Sequence, residues 1–345
     1  MQNKRAPYSR PPRQMPPALI ALIDIALIGV CLVVFALFDH VIPRKVRAVD
    51  YSVPAAPAAT SIPAAQPAPP GDDAVPEPTA APTAVGDFSA RFPDKFTSGE
   101  VVRTPTSYQS ANINITLSRQ EATFGEYEEV YYVQDIYIRN IECLRTHFAK
   151  DTFGRSVTES FMSITARSGA VATINSDFYS FGSRGIVIRN GVLYRDEFEP
   201  GEPVLVLYRD GNMKVYDGES DLDVAQAMTD GAWQAFSFGP NLLDEDGAPF
   251  EGGYGRSKHD PRTFIGMIEP GHYLFVVIDG RQKHYSDGMT LKGTAELAQR
   301  LGCRLAYNLD GGETSQMSFM GERVNHPYDN GRRTSDIICI TEPNA

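Results

Sequence analysis

Hydrophobic and polar positions alternate with strand periodicity through much of the chain's C-terminal part, and turn residues interrupt the alternation at short intervals. Val130 to Ile138, rich in Tyr, Val and Ile, predicts a strand, and Val171 to Ile174 predicts a short buried one. Ile186 to Tyr194 predicts a hairpin turning at Asn190-Gly191, a pair that accepts positive φ at both central positions. A second hairpin is predicted over Val204 to Tyr216, turning at Asp210-Gly211-Asn212, and a third joins Thr263–Ile268 to Tyr273–Ile278 through Glu269-Pro270-Gly271. One helix is expected after Thr290, a good cap: Leu291, Ala295, Ala298 and Leu301 form an apolar stripe, and Gly302 is placed to end it. The expected fold class is therefore α+β, mainly antiparallel strands and hairpins with a few helices. No repeat of about 20–50 residues is evident, which argues against a solenoid or propeller.

The N-terminal pattern is different in kind. Ala18 to Phe38 reads ALIALIDIALIGVCLVVFALF, broken only by Asp24, and matches the roughly 20 apolar residues of a spanning helix. It exceeds the apolar region of an ordinary cleaved signal, so an uncleaved transmembrane helix over 18–38 is expected, with 1–17 as a cytoplasmic N-terminus. Lys4, Arg5, Arg10 and Arg13 favour that orientation, although Arg44, Lys45 and Arg47 narrow the bias. Residues 39–86, dominated by Ala, Pro and Thr, predict a disordered linker or stalk with polyproline-like extension. The rest is then an extracytoplasmic domain on a single-pass cell-membrane anchor.

Composition narrows the functions on offer. The 345-residue chain carries a formal net charge of −11, which argues against a nucleic-acid partner. Cys143, Cys303 and Cys339 are an odd number in the exported part, in no Cys-x-x-Cys arrangement, and read as buried thiols. No dense oxygen-ligand loop is visible, so no metal site is assigned and no cofactor is required.

Candidate chemistry gathers at strand endings. Ala306-Tyr307-Asn308-Leu309-Asp310-Gly311-Gly312-Glu313-Thr314-Ser315 is an apolar strand that stops at an acid and two glycines, and Tyr273 to Ile278 ends likewise in Asp279-Gly280-Arg281. Such endings form tight turns, and they also deliver carboxylates and backbone N–H groups to one edge. With these stand Ala172-Thr173-Ile174-Asn175-Ser176-Asp177-Phe178-Tyr179, Arg189-Asn190-Gly191, Phe238-Gly239-Pro240-Asn241-Leu242, Arg262-Thr263-Phe264-Ile265-Gly266, Gly288-Met289-Thr290-Leu291 and Leu301-Gly302-Cys303. Weak singly, in this order they are specific: from about Thr165 to Ile340 the chain resembles the phosphodiester glycosidase family. It departs from that pattern at Ser176, where the family usually has Gly, and at Glu313, where a third Gly often stands. The domain is accordingly drawn at 165–345, with 87–164 as the N-terminal part of the exported region.

The resemblance implies hydrolysis of a sugar-1-phosphodiester, GlcNAc-1-phosphodiester-like, in a surface glycan or exopolysaccharide. Its reaction asks for carboxylates at the anomeric carbon, and the candidates are Asp310 first, then Asp177, Asp279 and Glu313. Arg262 and Arg281 would bind the phosphate anion, or serve as surface ion-pair residues. Asn175 and Asn308 would bond sugar hydroxyls or cap loops, Gly311 and Gly312 would bring backbone N–H groups to the phosphate, and Thr314 and Ser315 would donate to its oxygens or line a strand. His259, and beside it His284, is a proton carrier or a solvent-facing side chain. A non-catalytic glycan-binding or exopolysaccharide-assembly protein with a degenerate pocket is the alternative, and attack at phosphorus rather than carbon is a third reading.

Overall fold

The computed structural model describes residues 16–36, 46–49, 51, 86–124, 126–244, 246–251 and 258–343. The chain divides into two units, residues 1–45 and 46–345. Nearly all of the expected cytoplasmic N-terminus, and most of the expected stalk, lie outside the described residues. In the first unit α1 (Pro17–Ala36) forms over the apolar run. Its side chains are described from Leu19 to Val33, and among the described residues no helix is long and apolar enough to cross a membrane. The spanning helix over 18–38 therefore rests on the sequence pattern.

The second unit begins inside the expected stalk. β1 (Val46–Ala48) pairs antiparallel with β7 (Thr152–Gly154), and the Tyr51 ring stacks on His147 with centroids 4.1 Å apart. Residues 46–49 and 51 thus belong to the folded body.

Three larger antiparallel sheets build that body. The first runs in the order β16-β14-β15-β5-β4-β3-β2 and comprises β2 (Val102–Thr104), β3 (Ser107–Gln109), β4 (Ile113–Phe124), β5 (Tyr127–Ile138), β14 (Arg262–Glu269), β15 (His272–Ile278) and β16 (Leu305–Asn308). The second, in the order β18-β17-β8-β19-β6, holds β6 (Leu144–Phe148), β8 (Ala172–Asn175), β17 (Met317–Phe319), β18 (Glu322–Arg323) and β19 (Asp336–Ile340). The third, in the order β10-β9-β13-β11-β12, holds β9 (Val187–Arg189), β10 (Val192–Arg195), β11 (Val204–Tyr208), β12 (Met213–Tyr216) and β13 (Ala232–Ser237).

Each sheet turns one face to a shared apolar core, in which Ile115, Phe275 and Tyr307 of the first meet Ile174 and Ile338 of the second and Leu205, Trp233 and Phe236 of the third. Each outer face has its own helix. α4 (Leu291–Arg300) packs Leu291, Ala295 and Ala298 with Phe264 and Val276. α2 (Phe161–Ser168) places Phe161 and Ile164 against Ile337 and Cys339, and α3 (Val224–Thr229) buries Ala227 with Val206 and Ala235. Strands from 87–164 pair with strands from 165–345 in two of the sheets, β5 with β15 and β6 with β19, so residue 165 is not a structural boundary.

Local chemistry explains the predicted elements. Asn190 and Gly191 adopt φ of 53° and 76°, the double positive turn that matches strand twist. Thr290 caps α4 by accepting the Gly293 N–H at 3.0 Å, and Gly302 leaves the helix at φ 81°. Cys143, Cys303 and Cys339 are buried free thiols.

Candidate active site

The ends of β8, β15 and β16 and the starts of β14 and β17 converge, and Asn175 ties them together. Its Oδ1 accepts the Thr263 hydroxyl at 2.8 Å and the Gln316 N–H at 3.1 Å, while its Nδ2 donates to the Asp310 carbonyl at 2.7 Å. Fully buried and with both amide atoms engaged, Asn175 clamps the two sheets rather than offering a hydrogen bond to a sugar.

Asp310 sits one residue beyond the Leu309 N–H that donates to the Thr263 carbonyl at 2.9 Å. Its Oδ1 accepts the Gly311 N–H at 2.9 Å and its Oδ2 accepts Arg332 Nη2 at 3.0 Å. Burial pushes this carboxyl above its ordinary value, while Thr314, Arg332 and the Gly311 N–H pull it back. Arg332 was not among the residues singled out from the sequence. It lies in the irregular stretch Asn330-Gly331-Arg332-Arg333, and only the fold carries it to Asp310. Its side chain is 39% exposed, its Nε is buried without a partner among the described residues, and its Cζ lies 5.0 Å from the Phe178 ring centroid.

Arg281 approaches the same turn from the end of β15. Its Nε donates to Asp260 Oδ1 at 2.8 Å, and its guanidinium lies flat enough on Gly312 that a Cβ there would stand 3.2 Å from Nη2. Gly312 has φ of 66°, and its N–H donates to the Pro261 carbonyl at 2.9 Å. Asp310, Gly311, Gly312, Arg281 and Arg332 therefore form one constellation: a buried carboxylate bonded by one guanidinium, with a second packed on Gly312 of its turn.

Arg262 is close in backbone but points elsewhere. Successive strand residues face opposite ways, and with Thr263 turned to Asn175 the Arg262 side chain lies on the α4 side. There its Nε donates to the Met289 carbonyl and its Nη2 to the Lys258 carbonyl, both at 2.9 Å, which fixes the loops that present Asp260. Asp260 is a second residue the sequence did not mark, within 3.9 Å of Arg262 and 2.8 Å of Arg281.

The other proposed acids differ in freedom. Asp279 is fully buried and accepts Asn325 Nδ2 at 2.7 Å, the Tyr285 hydroxyl at 2.9 Å and the His326 N–H at 2.9 Å. Burial raises its pKa against these donors, and its role is to hold the 325–326 loop beside the turn. Asp177 lies in a buried ion triad: Arg189 donates to it at 2.7 Å and to Asp336 at 2.8 Å, and the Ser237 N–H reaches its other oxygen at 3.1 Å. Two acids share one cation there, and burial pushes Asp336 up to about 7. Glu313 is half-buried in the 3-10 turn Gly312–Thr314, and its carbonyl accepts the Arg332 N–H at 2.8 Å.

Thr314 donates its hydroxyl to the Gly311 carbonyl at 2.7 Å and so stiffens the turn. The Ser315 hydroxyl and Asn308 Oδ1 are buried without a partner among the described residues, while Asn308 Nδ2 donates to the Gly239 carbonyl at 2.8 Å. His259 stacks on Tyr127 at 3.8 Å and its Nδ1 is 2.8 Å from the Gly288 carbonyl, on the Asp260 side of the site. His284 stands apart, lining a cavity with Glu128 and Glu129. Among the described residues no group of three or more His, Cys, Asp or Glu is placed to hold a metal ion.

Residues 168–341 match the family described as phosphodiester glycosidase. The chain is 31% identical over 250 residues to the SPbeta prophage-derived uncharacterized protein YomE of Bacillus subtilis (strain 168), a match covering 65% of this chain and 38% of that protein. It thus spans well under half the length of that relative. Among solved structures it is similar to the catalytic domain of zebrafish N-acetylglucosamine-1-phosphodiester alpha-N-acetylglucosaminidase, auto-inhibited by its pro-peptide: TM-score 0.55, 16% identity, 71% of this chain and 88% of that one. A hypothetical protein from Synechocystis gives a TM-score of 0.51 at 14% identity, over 68% of this chain and 64% of that one. Both likenesses establish a shared fold.

Proposed function

The chain belongs to the phosphodiester glycosidase family, and from that membership we propose that it is a hydrolase cleaving a sugar-1-phosphodiester, GlcNAc-1-phosphodiester-like, in a cell-surface glycan or exopolysaccharide. The observation that carries this reading is the Asp310 carboxylate held by Arg332 at 3.0 Å, with Arg281 packed on the adjoining Gly312. A phosphodiester is a permanent monoanion, and planar guanidinium groups match its oxygens. Water would attack the anomeric carbon while its proton passes to Asp310, whose burial-raised pKa suits a base. The bond from that carbon to the phosphate oxygen then breaks, its electron pair leaves with the phosphate monoester, and Arg281 and Arg332 take up the added negative charge. A phosphate so neutralised leaves without a general acid, which fits a site where Asp279 and Asp177 are committed to other contacts.

The apolar run at 18–38 and the Ala/Pro-rich stretch after it support anchoring in a membrane with the domain exported, where such glycans lie. The test is incubation of the full chain with a GlcNAc-1-phospho-sugar diester in water enriched in heavy oxygen. Label in the released sugar is expected. Label in phosphate would move the attack to phosphorus, and saturable glycan binding without turnover, unaffected by Asp310→Asn, would replace the hydrolase reading with a binding module.

A further inference from the structure

Glu129 is a buried acid that the chemistry above does not use. It stands on β5 opposite Ala122 of β4, is 2% exposed, and its Oε2 has no partner among the described residues. Withdrawing a carboxylate from water is costly unless a cation or a hydrogen-bond donor meets it. Glu129 lines a cavity of about 330 Å³ together with Glu121, Thr123, Glu128, His284 and Tyr285. Exposed acids by themselves make an ordinary solvated face, and Glu121 is in any case bonded to Arg119 at 2.6 Å. The orphaned oxygen of a buried acid is different, because it leaves an acceptor at the cavity that the chain itself does not satisfy. The wall of the cavity is also tied to the candidate active site. The Val130 N–H donates to Ser286 Oγ at 3.0 Å, the Ser286 hydroxyl donates to the Asp279 carbonyl at 2.7 Å, and the Tyr285 hydroxyl donates to Asp279 Oδ2 at 2.9 Å. The Glu128 N–H reaches Asp287 Oδ2 at 3.0 Å, and the Asp287 N–H returns to the Glu128 carbonyl at 2.8 Å. These bonds hold residues 279–287, the segment that carries Arg281, against the start of β5.

We propose that this cavity is a second ligand site, separate from hydrolysis, and that it binds a small amino sugar whose ammonium group is met by Glu129. The charge follows from the orphan, a carboxylate oxygen with two further glutamates around the same cavity. The class of cation follows from the placement of those acids. Among the described residues no three acids, histidines or cysteines are set to hold a metal ion, whereas an ammonium group needs one close carboxylate and can give its remaining protons to neighbouring acceptors. The size follows from the volume. At about 330 Å³ the cavity lies at the low end of small-molecule pockets, which begin at roughly 300 Å³, so it accommodates one sugar ring and exceeds what a simple alkylammonium would fill. Thr123, Glu128 and His284 line it as exposed polar side chains, which matches the hydroxyls around such a ring.

The experiment titrates the full chain with glucosamine and with glucose, which share the ring and differ only in the amine. Wild type is expected to bind glucosamine saturably and glucose about tenfold more weakly, and Glu129→Gln to bind glucosamine about tenfold more weakly than wild type does, as for loss of one charge-assisted contact. A second measurement locates the site without a variant. Saturating glucosamine should slow amide hydrogen exchange across residues 281–287 in wild type, where those N–H groups border the cavity, and glucose at the same concentration should not. Equal affinity for the two sugars, undiminished glucosamine binding in Glu129→Gln, or unchanged exchange across 281–287 at saturation overturns the proposal. Tighter binding of putrescine or of calcium ion than of glucosamine would also overturn it, in favour of a plain diamine or a metal site. None of these readouts uses turnover, so the outcome is independent of the hydrolase reading.

Discussion

Asp310 is subject to opposed influences, burial raising its pKa and Arg332 among the groups lowering it. A base must be ionised to work, so activity should rise with pH through the Asp310 titration. Arg332→Ala removes one lowering influence and should move that acid limb to higher pH, with kcat/KM down about 10- to 100-fold. A pH profile of kcat/KM with an unmoved limb would remove Arg332 from this role. Asn175 makes a separate point about stability. Asn175→Ala leaves the Thr263 hydroxyl, the Gln316 N–H and the Asp310 carbonyl buried without partners, at about 1–3 kcal/mol for each group left unsatisfied. Urea unfolding should therefore show a loss of about 3 kcal/mol or more, and a loss within 1 kcal/mol would mean that water replaces the amide. At this scale the sequence exposes residue types at strand ends, Asp310 above all, but not their commitments. Asn175 bonds residues 88 and 135 positions away, and the bond from Arg332 to Asp310 spans an irregular loop with no periodic signal.

Elements were most legible where their chemistry is local. The Asn190-Gly191 turn, the hairpin joining β14 to β15 and the capped helix α4 each depend on a few adjacent residues, and each forms at the expected place. β4 was not foreseen, because only Ile113 and Ile115 are fully buried and its later residues, from Arg119 to Thr123, are largely exposed, which removes the alternation that marks a half-buried strand. The 310–312 turn shows how an element serves the site. Its glycines were legible as turn formers, whereas the guanidinium resting on Gly312 was not. Gly312→Ala would place a Cβ 3.2 Å from Arg281 Nη2 at a residue with φ of 66°. The backbone penalty is about 1–2 kcal/mol, a modest loss that thermal unfolding can measure. The displaced Arg281 should cost more in function: KM for the diester is expected to rise about tenfold, as for loss of one charge-assisted phosphate contact. Unchanged KM would place Arg281 outside the phosphate site.

At the scale of the whole molecule, three sheets share one core while each outer face has its own helix, and the site lies where the first and second sheets are tied by Asn175. Antiparallel hairpins could be read singly, but the sheet order could not, because β5 meets β15 across more than a hundred residues of intervening chain. One buried acid lies outside this economy of contacts. Glu129 on β5 lines a cavity of about 330 Å³ with Glu121, Glu128 and His284, and its Oε2 is buried without a partner among the described residues. Burial pushes its carboxyl up to about 7, Asp287 adds to that, and Arg300 opposes it. Its folded pKa is thus above the unfolded one, so the unfolded chain releases this proton first as pH rises. The associated stability is fully present below the ordinary carboxylate range and declines as pH climbs through about 7. Glu129→Gln keeps the shape and cannot ionise. Urea unfolding from pH 4.5 to 8.5 should show wild type losing on the order of 1–3 kcal/mol more than Glu129→Gln. The variant should consequently be the more stable of the two at pH 8.5. Parallel pH dependences would show that a cation from solution or from Arg300 neutralises Glu129 in the folded protein.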